Sequence, residues 1–342
     1  MIDHLFVADA AWLGADDLAG PTAVGVCRDE ISWIGPPSAA PPAVPRTHLD
    51  GILLPGLTDH HVHTALIDPA ELLVAGVTTL VDLGGTPDDL WPLVERSRND
   101  PDLPRIRAAG PFLTAPGGYP TQQDWAPAGI ALEVDGPHSG AAAVESLLPH
   151  EPITIKVALN SEAGPVVDDA TLRAIVHTAA DHGIPVTAHT QGPGQTLRAY
   201  QAGIRVLAHT PWTETLTDDL INDLARSTTI ISTLDIHGWG TPTHERDTAL
   251  RNLHRFHAAG GTVRYGTDLG NGPLPRAVNA REVVALTEAG LTPVDILHAI
   301  TSSLLRPGVP ADLTAVPADP TTNPGALSRA ITIHKAVMRG IR

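Results

Sequence analysis

Two stretches of this chain, 20 residues apart, read almost alike. His182-Gly-Ile-Pro-Val-Thr-Ala-His-Thr190 and Ala202-Gly-Ile-Arg-Val-Leu-Ala-His-Thr210 share the frame Gly-Ile-x-Val-x-Ala-His-Thr. In each, a glycine closes a helix, a short apolar run reads as a buried strand, and the strand ends in His-Thr. Two consecutive strand–helix units of this kind call for parallel strands joined by crossover helices. The pattern extends from residue 56 to 305. Strands are expected at the Ile52–Leu54 run leading into His61 and His63, at 77–81, at Ile106–Leu113, at 153–157, at Ile184–His189, at Ile204–His209, at 229–234 and at 262–266. Helical segments lie between them; one starts near Asp168, buries Leu172, Ile175, Val176 and Ala179 on one face, and stops at Gly183. Eight such strands favour a (β/α)8 barrel of the TIM type over an open doubly wound sheet, and a barrel gathers its C-terminal strand ends around one site.

The first of these strand ends carries the densest chemistry. Gly51-Ile-Leu-Leu-Pro-Gly-Leu-Thr-Asp-His-His-Val-His63 passes from an apolar run into three histidines. Strand side chains alternate faces, so His61 and His63 point the same way while Val62 faces the packing side. Downstream strand ends add Lys156, His189, His209 and Asp268. Imidazole and carboxylate groups suit zinc and neighbouring divalent metals. Each residue also has a plainer alternative. A lone strand-end histidine is commonly a satisfied polar group, Lys156 inside an apolar run can be a buried ion-pair partner, and Asp268 in Tyr265-Gly-Thr-Asp-Leu-Gly270 can cap a turn. Chance placement of all six at C-terminal strand ends is much harder to arrange than any one alternative.

Both termini have a different texture. Short strand candidates at Leu5–Val7, Thr22–Val26 and 31–34 are followed by a connector with five prolines between Pro36 and Pro45. Residues 311–316, 330–333 and 335–340 look similar. The expected organisation is a small β-sandwich built from residues 1–55 and 306–342 around a barrel of residues 56–305. With 342 residues and 42% hydrophobic content, the chain can bury a core of that size. The net charge of −16 disfavours nucleic acid or an anionic membrane as partner. Cys27 is the only cysteine and no segment has about 18 consecutive apolar residues, so a cytoplasmic protein acting on a small molecule is expected, with a homo-oligomer left open.

These residues together resemble the metal-dependent amidohydrolase superfamily, in its imidazolonepropionase-like and Xaa-Pro dipeptidase (prolidase)-like branch. Pro55-Gly-Leu-Thr-Asp-His-His-Val-His63 is similar to the family's Pro-Gly-x-x-Asp-x-His-x-His opening. Ala75-Gly-Val-Thr-Thr79, Lys156, His189, His209, Gly266-Thr-Asp268 and Ala311-Asp-Leu313 are similar to the segments that follow. The resemblance implies two divalent metals, Zn2+ by expectation. His61, His63 and Asp268 would hold the first, His189 and His209 the second, with an Nζ-carboxylated Lys156 bridging them. It further implies a bridging hydroxide, formed because metal coordination brings the pKa of water to about 7. Asp268 would serve as general acid/base toward it. The implied reaction is hydrolysis of a C–N bond in an amide, lactam, cyclic imide-like ring or dipeptide.

Several positions depart from that pattern. Ala115-Pro-Gly-Gly-Tyr119 has tyrosine where dipeptidase-like relatives often carry histidine, and Tyr119 cannot be a cation at neutral pH. His237 and Trp239 after strand 7, with Trp212 after strand 6, point to a ring or apolar group in the pocket; packing of loop on loop is the alternative. A deaminase of a heterocyclic amidine is a rival reading, opposed by Lys156 and by the lack of a nearby His-x-x-Glu. A non-catalytic assembly protein is another, opposed by the presence of all six ligand-type residues.

Overall fold

The computed structural model describes residues 2–337 and has a mixed α/β fold with parallel sheets. The chain opens with β1 (His4–Ala11), β2 (Thr22–Cys27), β3 (Glu30–Gly35) and β4 (Arg46–Pro55). There follow β5 (Leu57–Val62), α1 (Pro69–Val74), β6 (Val77–Asp82), α2 (Pro87–Asn99), β7 (Arg105–Ala108), β8 (Phe112–Thr114), β9 (Ala131–Glu133) and α3 (Pro137–Leu147). Strand and helix then alternate through β10 (Ile155–Asn160), α4 (Asp169–Asp181), β11 (Val186–Gln191), α5 (Gln195–Gln201), β12 (Val206–Leu207), α6 (Asp218–Ser227), β13 (Thr229–Ile231), α7 (His244–Ala258) and β14 (Thr262–Arg264). Helices α8 (Ala280–Glu288) and α9 (Pro293–Ile300) lead to β15 (Leu313–Val316) and β16 (Ile331–His334). Among the described residues no helix is long and apolar enough to cross a membrane.

Three sheets result. One orders its strands β14-β13-β12-β11-β10-β8-β9, the second β5-β6-β7, and every pairing within these two is parallel. Backbone hydrogen bonds run between them. On one side the His60 amide donates to the Tyr265 carbonyl at 3.0 Å, and the Asp268 amide to the His61 carbonyl at 2.8 Å. On the other the Ile153 amide reaches the Ala108 carbonyl at 2.9 Å. The third sheet, β16-β15-β4-β1-β2-β3, draws strands from both ends of the chain. Its β15 pairs antiparallel with β4, setting Ala315 opposite Leu53.

Parallel strands covered on both faces read as continuous apolar runs, and all six residues of β10 are buried. Helix α4 shows how the helices are specified. Asp168 caps it by accepting from the Thr171 amide at 2.7 Å, Leu172, Ile175 and Ala179 are buried at helical spacing, and Gly183 takes φ +68° just after its end.

Several expectations change. The strand expected at 153–157 is β10, Ile155–Asn160, so Lys156 stands near its start rather than at its C-terminal end. The Ile52–Leu54 run is not part of the strand that carries the histidines: it ends β4, in the sheet of the termini, and β5 starts afresh at Leu57. Gly56 lies between them because a Cβ there would fall 2.1 Å from Thr78 Oγ1. The expected strand Ile106–Leu113 is two strands, β7 and β8, broken at Gly110-Pro111. Gly110 has φ +85° and Pro111 has no N–H to continue a ladder. In the expected segment 335–340, residues 335–337 continue beyond β16 without strand pairing, and residues 338–340 lie outside the described residues.

Candidate metal centre and active site

His61 and His63 come from the end of β5, with Val62 between them in the hydrophobic core. Each ring is fixed through its inner nitrogen. His61 Nδ1 lies 2.8 Å from the Ala208 carbonyl and His63 Nδ1 lies 2.8 Å from the Gly84 carbonyl. A carbonyl only accepts, so both Nδ1 atoms carry a proton, and in the neutral form of each ring Nε2 presents a lone pair. The two Nε2 atoms sit 3.1 Å from the same atom, Asp268 Oδ1. The distances are of hydrogen-bond length, yet no donor is directed at that buried oxygen. Lone pairs facing a carboxylate oxygen repel unless a positive charge lies among them.

His209 completes the group by an irregularity in the sheet. Although its segment shares a sequence frame with that of His189, the registers differ by one: Thr187 pairs with Val206 and Ala188 with Leu207. Residue 208 thus follows the alternation of His189, and His209 alone would turn to the opposite face. Strand β12 stops after two residues and the chain bends at 208–209, which brings His209 back to the site. Its Nδ1 lies 2.9 Å from Thr233 Oγ1 and its ring lies 4.6 Å from that of His61. The ligand-type atoms of His61, His209 and Asp268 all fall within 4.8 Å of one another, so these three could hold a metal ion.

Lys156 and His189 share a face of neighbouring strands, since Ala158, two residues after Lys156, pairs with His189. His189 Nε2 lies 3.2 Å from Gln191 Oε1, which in turn accepts from Asn160 Nδ2 at 2.8 Å. Lys156 is 1% exposed, with Nζ 5.6 Å from the centroid of Phe112. Burial lowers its pKa to about 7 against the pull of Asp268 and Asp82. Burial likewise holds His61 and His209 well below the ordinary imidazole range and lowers His189 to about 4, so these rings are neutral and can act as ligands. For His63, burial is outweighed by the carboxylate of Asp268 and the pKa is raised. Burial opposes the charge of Asp268, but the surrounding imidazoles hold it well below the usual carboxylate range.

All six residues line one cavity of about 600 Å3, together with Tyr119, Trp212, His237 and Trp239. Tyr119 stacks on His189 at 5.1 Å and Trp212 packs on His237 at 4.7 Å. His237 Nε2 is buried without a hydrogen-bond partner, and burial lowers the ring's pKa to about 4. Trp239 is 46% exposed at the rim.

Supporting residues were not assigned from the sequence. Asp82 accepts from the Thr64 amide at 2.7 Å and the Gly84 amide at 2.9 Å, so it sets the carbonyl that orients His63. Asp59 accepts from the amides of His61 and Thr267, both at 3.1 Å, tying β5 to the Asp268 loop; burial pushes its pKa up to about 7. Gln191 has a legible signal, as it lies two residues past His189 on one strand face. Thr233 and Asn271 have none, because their roles depend on how turns fold.

No family model matches this chain, and neither does any curated protein. Solved structures do. A Xaa-Pro dipeptidase with bound methionine in its active site is 20% identical, with 98% of each chain covered and a TM-score of 0.80. The A. niger ochratoxinase is 20% identical over 95% of this chain and 92% of its own, with a TM-score of 0.79. An amidohydrolase is 21% identical over 95% of both chains, also at 0.79. The chain thus has the fold of amidohydrolase structures of the prolidase-like branch, the group its strand-end residues resemble.

Proposed function

We propose that this protein is a metal-dependent hydrolase of an amide-type C–N bond, with its site on a (β/α)8 barrel (residues 56–305) flanked by a β-sandwich of residues 1–55 and 306–342. The observation that carries this is the convergence of His61 and His63 Nε2 on Asp268 Oδ1 at 3.1 Å, with both Nδ1 protons committed to carbonyls. Such a donor set fits a divalent cation. His61, His63 and Asp268 would hold a first zinc ion, and His189 and His209 a second. Lys156 would serve both as a carbamate: burial lowers its pKa to about 7, so about half of the amine is neutral at neutral pH, the form whose nitrogen attacks carbon dioxide and then loses a proton. When bound, the ions supply Lewis acidity and a water of lowered pKa.

The chain's own residues do the rest. Asp268, buried and ionised, accepts a proton from the attacking water and returns it to the leaving nitrogen. His237 offers its unpartnered Nε2 to a polar atom of the substrate. Phe112 and Tyr119 wall the reacting centre from solvent. The neighbours named Xaa-Pro dipeptidase and ochratoxinase support this reaction class. A cytoplasmic setting, inferred from the lone Cys27, belongs to the same reading.

Elemental analysis of protein purified after growth with zinc tests it. About two metal ions per chain are expected, lost on treatment with a chelator together with hydrolytic activity. Less than about half an ion per chain would overturn the reading.

A further inference from the structure

The cavity has a charge pattern of its own. Among the described residues lining it, Lys156 is the only lysine or arginine, and it lies at the deep end beside the histidines. The rest of the wall is largely aromatic and aliphatic: Phe112 and Trp212 lie against the histidines, Ile236 adds to them, and Leu66 and Trp125 stand at the mouth, 53% and 51% exposed; its other polar members, Thr86, Gln191 and Asn271, are uncharged. The one acidic group at the mouth is Asp89, in the first turn of α2, where it accepts from Thr86 Oγ1 at 2.6 Å. An anion entering this outer part would shed water, meet no guanidinium or ammonium, and approach a carboxylate. Leaving a charge desolvated and unpaired is strongly unfavourable. A flat uncharged group gains there from the apolar surface it buries. Apart from Asp268 Oδ1, His237 Nε2 is a buried polar atom of the lining without a protein partner; it sits on a ring packed against Trp212 and suits a neutral hydrogen-bonding group.

We propose that the cavity takes uncharged substrates bearing an aromatic or similarly flat apolar group beside the scissile bond, and discriminates against those ending in a free carboxylate. This rests on the hydrolase reading for the bond that is cut, but not for what binds.

The test uses full-length protein as purified and a pair of compounds in which a sulfonyl group replaces the benzoyl carbonyl, so that the bond to the proline nitrogen is no longer an amide: N-benzenesulfonylproline and N-benzenesulfonylprolinamide. Binding is followed by quenching of tryptophan fluorescence. The amide is expected to bind at least about tenfold more tightly than the acid. Equal affinities, a preference for the acid, or no binding of either at millimolar concentration would each overturn the proposal. Trp125→Arg places a cation at the exposed mouth and should tighten the acid several-fold, whereas Trp125→Leu should not; an acid affinity unmoved by the arginine would remove the mouth from the selectivity. Turnover of N-benzoylproline and N-benzoylprolinamide separates the two readings. Binding of the uncharged sulfonamide with hydrolysis of neither benzoyl compound leaves the ligand class standing and sinks the hydrolase. Faster hydrolysis of the acid keeps the hydrolase and sinks the ligand class.

Discussion

Asp268 adopts φ +57°, a region that non-glycine residues enter at a cost of about 1–3 kcal/mol. The turn is held there by the Asp268 amide on the His61 carbonyl and by Asn271 Nδ2, which donates to Asp268 Oδ2 at 3.0 Å. That leaves Oδ1 facing the two Nε2 atoms, so turn-capping and a chemical role are divided between the two oxygens of one side chain. Asp268→Asn distinguishes them. The amide can keep the turn but is far too weak a base to accept a proton from water, so kcat should fall about 10²–10⁴-fold with the thermal midpoint nearly unchanged. A variant that retained wild-type kcat would take Asp268 out of the chemistry. At this scale the sequence was informative where residues follow strand periodicity, as His61, His63 and His189 do. It was silent on Asp82 and Thr233, because each acts by orienting a histidine through a turn that sequence spacing does not specify.

Among the elements, the shared frame of the His189 and His209 segments made the parallel strands legible, while the one-residue stagger between β11 and β12 was not. Stagger is a property of strands packed side by side, and neither strand contains it alone. The break between β4 and β5 is not legible in the sequence for a related reason: the need for Gly56 comes from Thr78, a residue of a neighbouring strand. The loop after β13 depends on another distant contact. Glu282, on α8 and fully buried, accepts from the amides of Leu234 at 3.0 Å and Asp235 at 2.8 Å, just before His237. Burial raises its pKa from 4.5 to about 7 despite those bonds. A carboxyl whose folded pKa is raised contributes stability that is complete below pH 4.5 and is lost as pH rises through 7. The shift corresponds to something on the order of 3 kcal/mol. Thermal midpoints measured from pH 5 to 8 should therefore decline more steeply for the wild type than for Glu282→Gln. Parallel curves would show that Glu282 does not titrate in this range.

The whole molecule is joined by a sheet that neither terminus can form alone. Strand β15 lies between β16 and β4, and Leu313 packs with Phe6, Val24, Ile31 and Leu53 in a cluster separate from the main core. Two polar ties fasten the same region to the parallel sheets. Arg105 of β7 meets Asp312 at 2.6 Å, and Lys335 Nζ donates to the Ser97 carbonyl at 2.9 Å. The similar strand texture of the two termini was visible in the sequence, but their pairing was not, since β4 and β15 are about 260 residues apart and pair through backbone groups that every residue has. Deleting residues 311–342 removes the partner of β4. The four residues of β15 are all buried, and their loss would expose Leu53 and Leu54 together with an unpaired edge beside the strand leading to Gly56 and β5. The expected outcome is insoluble protein, or protein that binds an apolar dye and has lost its sharp thermal transition. A soluble truncation with the wild-type thermal midpoint would show that the parallel sheets fold without the sheet of the termini, and would remove the division into residues 1–55, 56–305 and 306–342 as a description of how the chain holds together.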